Sequence, residues 1–286
     1  MKPRSDKAQH EGAHRVPVRG VRAGAAFELH DWVADEVPVA LEYNGISQAV
    51  MLATPLDLED FALGFSLSEG LLDSADELFD VEESSSGAGI TLHLRVAASA
   101  FARLKGRRRS MGGRTGCGLC GTESLAQVHR DLPPLAILPG APQLQLQAIG
   151  RAMAQFQALQ TLQQATGAVH AAAWCSAAGD VQWLREDVGR HNALDKLTGA
   201  LARAGVDASA GFIAVTSRAS FEMVQKAVSA RVPLLAAVSA PTSLAVKTAA
   251  QSGLTLVGFA RQQDLVVYTR PERLALDSVP EGCHAH

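Results

Sequence analysis

The chain has 286 residues, 47% hydrophobic and 19% charged, with a formal net charge of -3 at pH 7. This is the make-up of a globular protein with enough apolar content for a sizeable core and enough length for two domains. No stretch approaches the roughly 20 apolar residues that span a bilayer, and Met1–Val21 is basic and polar, so the expectation is a cytoplasmic protein with no membrane partner.

Residues 1–24 carry charge and histidine without a hydrophobic period and read as a disordered tail, with order beginning near Phe27. Val37–Tyr43 alternates apolar residues, Asn44-Gly45 is a type I′ hairpin signal, and Ile46–Ala53 returns as the partner strand. Asp57 is placed to cap a helix whose Leu58, Phe61, Ala62 and Phe65 recur at helical spacing. After a Ser/Gly turn, Ile90, Leu92, Leu94 and Val96 alternate as a further strand. Residues 25–110 therefore read as a small α+β domain. Within it Asp57–Glu83 holds ten acids and no Lys or Arg, whereas Arg103–Arg114 holds six basic residues and no acid, which predicts one acidic surface and one basic linker.

Residues 111–135 read as a mobile connector holding Cys117-Gly-Leu-Cys120, and residues 136–275 follow α/β grammar. A single helix over Leu144–Thr166 ends at Gly167. The predicted strands are Val169–Cys175, Val181–Arg185, Phe212–Thr216, Leu234–Ser239, Leu254–Phe259 and Leu265–Thr269, with helices starting near Arg190, Ala219 and Thr242. Residues 276–286 read as a C-terminal tail.

Polar clusters follow the predicted strand ends: Glu186–His191 with Arg190, Ser217-Arg218-Ala219-Ser220, Ser239–Thr242, and Arg261-Gln262-Gln263-Asp264. In open α/β sheets ligands bind at that edge. Three of these loops open a helix, where free N–H groups and the helix dipole favour phosphate, and Arg190 and Arg218 add charge. A nucleotide-like pocket is the expectation.

The chain has four cysteines, too few for a disulfide framework in a reducing compartment. A structural zinc site lacks its second pair, and no metal site is expected. A zinc deaminase requires His-x-Glu before its Cys pair, but here His170 is followed two residues later by Ala172 and the pair comes first. A thioredoxin-type motif requires an early strand and helix around the pair. A nucleophile remains. Glycines flank Cys117 and Cys120, the basic run lies upstream, and Thr122-Glu123-Ser124 looks like a helix start, features that lower a thiol pKa. Nucleic-acid binding through Arg107–Arg109 is disfavoured by a 5% aromatic content and the negative net charge.

Four segments, TGCGLCGTESL, EDVGRHNALDKLTG, TSRASFEMVQKA and LAVKTAAQSGLTLVGFAR, together resemble the formate dehydrogenase accessory sulfurtransferase (FdhD/NarQ) family, as does the earlier segment YNGISQAVMLATPLDLEDFALGFSLSEGLL. The resemblance runs from about 37 to 270. It implies an α/β fold: a cytidine-deaminase-like three-layer α/β/α C-terminal domain with a smaller α+β N-terminal domain. It also implies sulfur transfer from a cysteine desulfurase to the Mo-bis-molybdopterin guanine dinucleotide cofactor for formate dehydrogenase. Cys117 would carry the persulfide with Cys120 as relay, and Phe259, Ala260, Arg261, Gln262, Gln263 and Asp264 would contact the cofactor. Arg190, His191, Ser217 and Arg218 join them from the strand-end argument, GDP is the expected mimic, and a homodimer is implied. A chaperone that only holds the cofactor is the alternative.

Overall fold

A computed structural model describes residues 10–110, 134–136, 142–262 and 264–276. The expected thiol pair Cys117 and Cys120, and Gln263 of the expected cofactor segment, lie outside the described residues, as do residues 1–9 and 277–286 of the expected tails.

The chain opens with an antiparallel ribbon, β1 (Ala13–Arg22) and β2 (Ala25–Ala34), paired in register from Ala13–Ala34 to Arg22–Ala25. This corrects the reading of 1–24 as a tail. The turn is Ala23-Gly24, both with left-handed φ, a weaker sequence signal than Asn-Gly. Pro17 and Gly20 inside β1 further dilute the alternation that marks a strand.

The second sheet has the order β4-β3-β6-β5, from β3 (Val37–Tyr43), β4 (Ile46–Ala53), β5 (Leu78–Ser86) and β6 (Gly89–Val96). Asn44 and Gly45 take left-handed φ at the β3–β4 turn. The Asn44 amide also donates to Val96 O at 3.1 Å and accepts from Val96 N at 2.9 Å, clipping the hairpin to β6. Val39, Leu41, Tyr43, Leu92, Leu94 and Val96 point to one face, where α1 (Leu58–Ser68) and α2 (Ala98–Ser110) cover them. Helix α2 contains Arg103 and Lys105, so the start of the basic run is helical rather than linker. Arg103 is already committed to Glu77 at 2.6 Å and Asp73 at 3.1 Å. Asp57 sits at the N-cap position of α1 but makes no capping hydrogen bond; its carboxylate lies 3.4 Å from Arg185 instead.

The third sheet has the order β12-β11-β10-β9-β7-β8, built from β7 (His170–Ser176), β8 (Val181–Asp187), β9 (Gly211–Val215), β10 (Leu234–Ala237), β11 (Thr255–Arg261) and β12 (Asp264–Thr269). Strands β9, β10 and β11 are parallel, while β7, β8 and β12 attach antiparallel. Side chains alternate between two cores. Ala172, Trp174, Ile213, Val215, Leu235 and Leu256 pack on α5 (Arg190–Arg203), α6 (Phe221–Ser229) and α7 (Ser243–Ser252). Ala171, Ala173, Phe212, Ala214, Leu234 and Val257 pack on α3 (Leu146–Leu159). Helices thus cover both faces of this sheet. The expected single helix over Leu144–Thr166 is two: α3 stops, Gln160 adopts φ -79 and ψ 78, and α4 (Thr161–Thr166) starts anew. Glu186 stabilises the new start by accepting from Leu162 N and Gln163 N, each at 2.9 Å.

Helices α1 and α5 join the small sheet to the large one, and both are buried nearly all round. A Cβ on Gly64 would strike the backbone of Asp195, and one on Gly199 the backbone of Asp60. Glycine at both positions lets the two backbones touch.

Candidate functional site: the rim of the six-stranded sheet

Antiparallel β7 and β8 place His170 opposite Asp187, so the C-terminal ends of β8, β9, β10 and β11 and the starts of β7 and β12 share one rim. The polar segments along it are bonded in sequence. His191 Nε2 lies 3.4 Å from Ser220 Oγ, Ala219 bridges Pro241, Thr242 N donates to Ala219 O at 3.0 Å, and Phe259 N donates to Ser239 O at 3.4 Å. Four segments distant in sequence form one continuous edge.

Arg190 is the first residue of α5. Its Nε is sealed from solvent and has no hydrogen-bond partner among the described residues, a costly state for a guanidinium nitrogen. His191 is engaged: its Nε2 lies 2.5 Å from Glu222 Oε2. That bond is the main reason the Glu222 carboxyl is held below the usual carboxylate range. Across from them, the imidazole of His170 is held below its ordinary value, first by burial and then by the charge of Arg190 and His191. Ser217 is buried and donates to Arg218 O at 3.0 Å, so its hydroxyl serves the loop. Arg218 is exposed at the rim.

The segment Arg261–Asp264 differs from the expected loop. Strand β11 runs on to Arg261 and pairs it with Asp264, with the register shifting between Gly258 and Arg261. Phe259 takes a left-handed φ of 51° and is 43% exposed. This bulge breaks the alternation that would have marked the strand's continuation. Ala260 is buried, and Arg261 Nε donates to Val238 O at 3.3 Å. Gln262 and Asp264 are exposed on either side of the hairpin turn.

The break between α3 and α4 opens a cavity of about 420 Å³ against the same rim. Met153 and Phe156 supply an apolar floor, Gln157, Gln160, Gln163 and Gln164 supply amides, and Thr216 and Val238 mark the ends of β9 and β10. This cavity lies on the α3 side of the sheet and the Arg190, His191 and Arg218 group on the other, as for a ligand that crosses the edge. Sequence reasoning missed the cavity because it rests on the helix break. It also missed Glu222, whose only signal is an acid in the first turn of a helix that follows Ser220.

Much of EDVGRHNALDK is structural. Asp187 accepts from Thr54 N, Gly189 N and Asn192 Nδ2 at 3.0, 2.7 and 2.9 Å. Asn192 Nδ2 also reaches Leu52 O at 2.7 Å. Asp195 pairs with Lys226 at 2.8 Å on the neighbouring helix. Only Arg190 and His191 of this motif turn to the rim group. Among the described residues, no group of three or more His, Cys, Asp or Glu side chains is arranged to hold a metal ion, and no helix is long and apolar enough to cross a membrane.

The chain has relatives over most of its length. The chain is 68% identical over 262 residues to the sulfur carrier protein FdhD of Variovorax paradoxus, covering 92% of this chain and 93% of that one. It is 58% identical to the protein of that name from Cupriavidus necator, covering 88% and 87% of the two chains. A crystal structure described as a formate dehydrogenase accessory protein from Desulfotalea psychrophila shares the fold, with a TM-score of 0.71 at 24% identity, covering 92% of this chain and 99% of that one. The FdhD/NarQ family model matches residues 34–275, and with these relatives it identifies the chain as a member of the FdhD/NarQ family.

Proposed function

We propose that this protein is a sulfurtransferase that serves formate dehydrogenase by loading sulfur onto its molybdenum cofactor. The observation that carries the cofactor half of this reading is the continuous rim, where Arg190, its Nε sealed and without a partner among the described residues, and the exposed Arg218 stand at two helix starts. Guanidinium groups at helix N-termini bind phosphate by charge-assisted hydrogen bonds. The pyrophosphate of a bis-molybdopterin guanine dinucleotide would lie there. Its guanine would enter the cavity between Met153, Phe156 and the four glutamines, and the Phe259–Asp264 hairpin would close the edge. GDP supplies the same base and phosphates.

The sulfur half rests on the relatives that carry sulfur and on the Gly-rich Cys117 and Cys120 segment. The Cys117 thiolate attacks the outer sulfur of a cysteine desulfurase persulfide: a new S–S bond forms on Cys117, the donor S–S bond breaks, and the donor leaves as thiolate. Cys120 relays or protects the sulfur. We infer that the protein works in the cytoplasm as a homodimer, on a cytidine-deaminase-like scaffold that no longer carries the hydrolytic glutamate.

Mass spectrometry after incubation with a desulfurase and cysteine tests the reading. A mass gain of about 32 Da, one sulfur atom, is expected on Cys117, and Cys117→Ala should abolish both the gain and support of formate dehydrogenase. A protein that only held the cofactor would still support the enzyme without Cys117.

A further inference from the structure

Gln160, at the break between α3 and α4, is only 7% exposed. Its backbone serves both helices, donating to Phe156 O at 2.9 Å and accepting from Gln164 N at 3.0 Å. Its side-chain amide lines the cavity at the rim and has no hydrogen-bond partner among the described residues. A buried amide without a partner lowers stability. A leucine would fill the same space without that penalty, so the amide is placed for something that enters the cavity.

The two neighbouring amides are locked in opposite senses. Val169 N, which can only donate, bonds Gln163 Oε1 at 2.9 Å and leaves Gln163 Nε2 as a donor. Gln157 O and Ala158 O, which can only accept, both hold Gln164 Nε2, the latter at 3.2 Å, and leave Gln164 Oε1 as an acceptor. The Thr216 hydroxyl is occupied by Ala171, accepting from its N at 2.9 Å and donating to its O at 3.4 Å. The cavity therefore offers one fixed donor, one fixed acceptor and the free amide of Gln160, beside the apolar floor of Met153 and Phe156. Its volume of about 420 Å³ falls within the range of about 300–1,000 Å³ for small-molecule sites.

We propose that this cavity reads a 2-amino-4-oxopyrimidine edge, a ring carbonyl followed by two N–H donors, and that Gln160 is the residue that sets this specificity. Gln163 Nε2 donates to the ring carbonyl, Gln160 Oε1 accepts from the ring N–H, and Gln164 Oε1 accepts from the exocyclic amine. Adenine presents only one donor and one acceptor on that edge. It would leave one of the three amides unpaired, which is how a polar site rejects an analogue. The edge specificity rests on the cofactor reading above and deepens it, because that cofactor carries the edge twice, on its guanine and on its pterin.

Calorimetry with GDP, IDP, ADP and 6-hydroxymethylpterin tests it. The wild type should bind GDP at least about tenfold more tightly than ADP, and about fivefold more tightly than IDP, which lacks the 2-amino group and so one hydrogen bond. Gln160→Leu should weaken GDP binding at least about tenfold and level the preference over ADP, while the melting temperature without ligand holds or rises. The pterin separates the two sources of the edge. A loss in Gln160→Leu confined to GDP seats the guanine in the cavity, and a loss confined to the pterin seats the pterin there. If the wild type binds either probe and Gln160→Leu weakens neither, the edge reading falls and the cofactor reading stands. ADP matching GDP in the wild type, with pterin binding unchanged in Gln160→Leu, overturns the edge reading likewise. A wild type that binds neither GDP nor the pterin overturns both.

Discussion

Lys196 Nζ lies 2.7 Å from Asp187 Oδ2 with both side chains fully buried, and the same ammonium donates to Thr54 O at 2.9 Å. The pair ties the end of β8 and helix α5 to the segment leaving β4. Burial pulls the Lys196 ammonium below its ordinary value and Asp187 opposes that pull. Truncating one partner of a buried pair costs about 3–5 kcal/mol, because the other charge is left uncompensated. Asp187→Asn should therefore lower stability by about that amount, read as a shift of the urea midpoint. Replacing both residues, Asp187→Asn with Lys196→Met, should cost less than Asp187→Asn alone.

His170 gives a pH dependence with a definite sign. Its folded value is below the ordinary imidazole value of 6.5, so between the two the unfolded chain binds more protons and stability rises with pH. The contribution is complete above 6.5 and is lost as pH falls through this window. His170→Gln should flatten that part of the stability profile. Glu222, also held low chiefly by its bond to His191, loses its contribution at pH below the ordinary carboxyl value of 4.5. Denaturant titrations at stepped pH, on the wild type and on His170→Gln, read the His170 contribution as the difference between the two profiles.

The small sheet and the α/β sheet were legible because their signals are local. Asn44-Gly45 dictates a hairpin, and Gly167 ends a helix with a left-handed φ of 72°. The rim was legible for the same reason, as polar residues follow strands that alternate cleanly. What escaped depends on tertiary partners. The break at Gln160 needs Glu186, 26 positions away, to receive the new helix start. The ribbon turns on Ala23-Gly24, and the bulge at Phe259 hides the last two residues of β11, Ala260 and Arg261, behind one unusual φ. Asp195 is buried against Lys226 of the neighbouring helix, a pairing that no local pattern signals.

Arg190 should be the stronger phosphate contact at the rim. Calorimetry with GDP should show Arg190→Ala weakening binding by about 10–100-fold, the worth of one or two charge-assisted bonds. Arg218→Ala, exposed, should weaken it less. Because Arg190 Nε has no protein partner among the described residues, Arg190→Ala should leave the melting temperature without ligand nearly unchanged.

Cys175 should not confuse thiol chemistry. It is buried, with its thiol pushed up to about 12 chiefly by burial, so the reactive thiolate is scarce at neutral pH. Iodoacetamide at pH 8 should leave Cys175 unmodified in the native protein and label it only after denaturation, as peptide mapping would show.

The last three residues of β8 point alternately to opposite faces, and each one grips a different element. Arg185 holds Asp60 of α1 at 2.7 Å, Glu186 holds the start of α4, and Asp187 holds Lys196 of α5. The strand end is a keystone in the mason's sense: its parts are individually ordinary, and their order bears the arch. A slip of one position would exchange the faces and release all three elements at once, so a single-residue insertion between Trp183 and Leu184 should damage the fold more than the loss of any one of the three side chains.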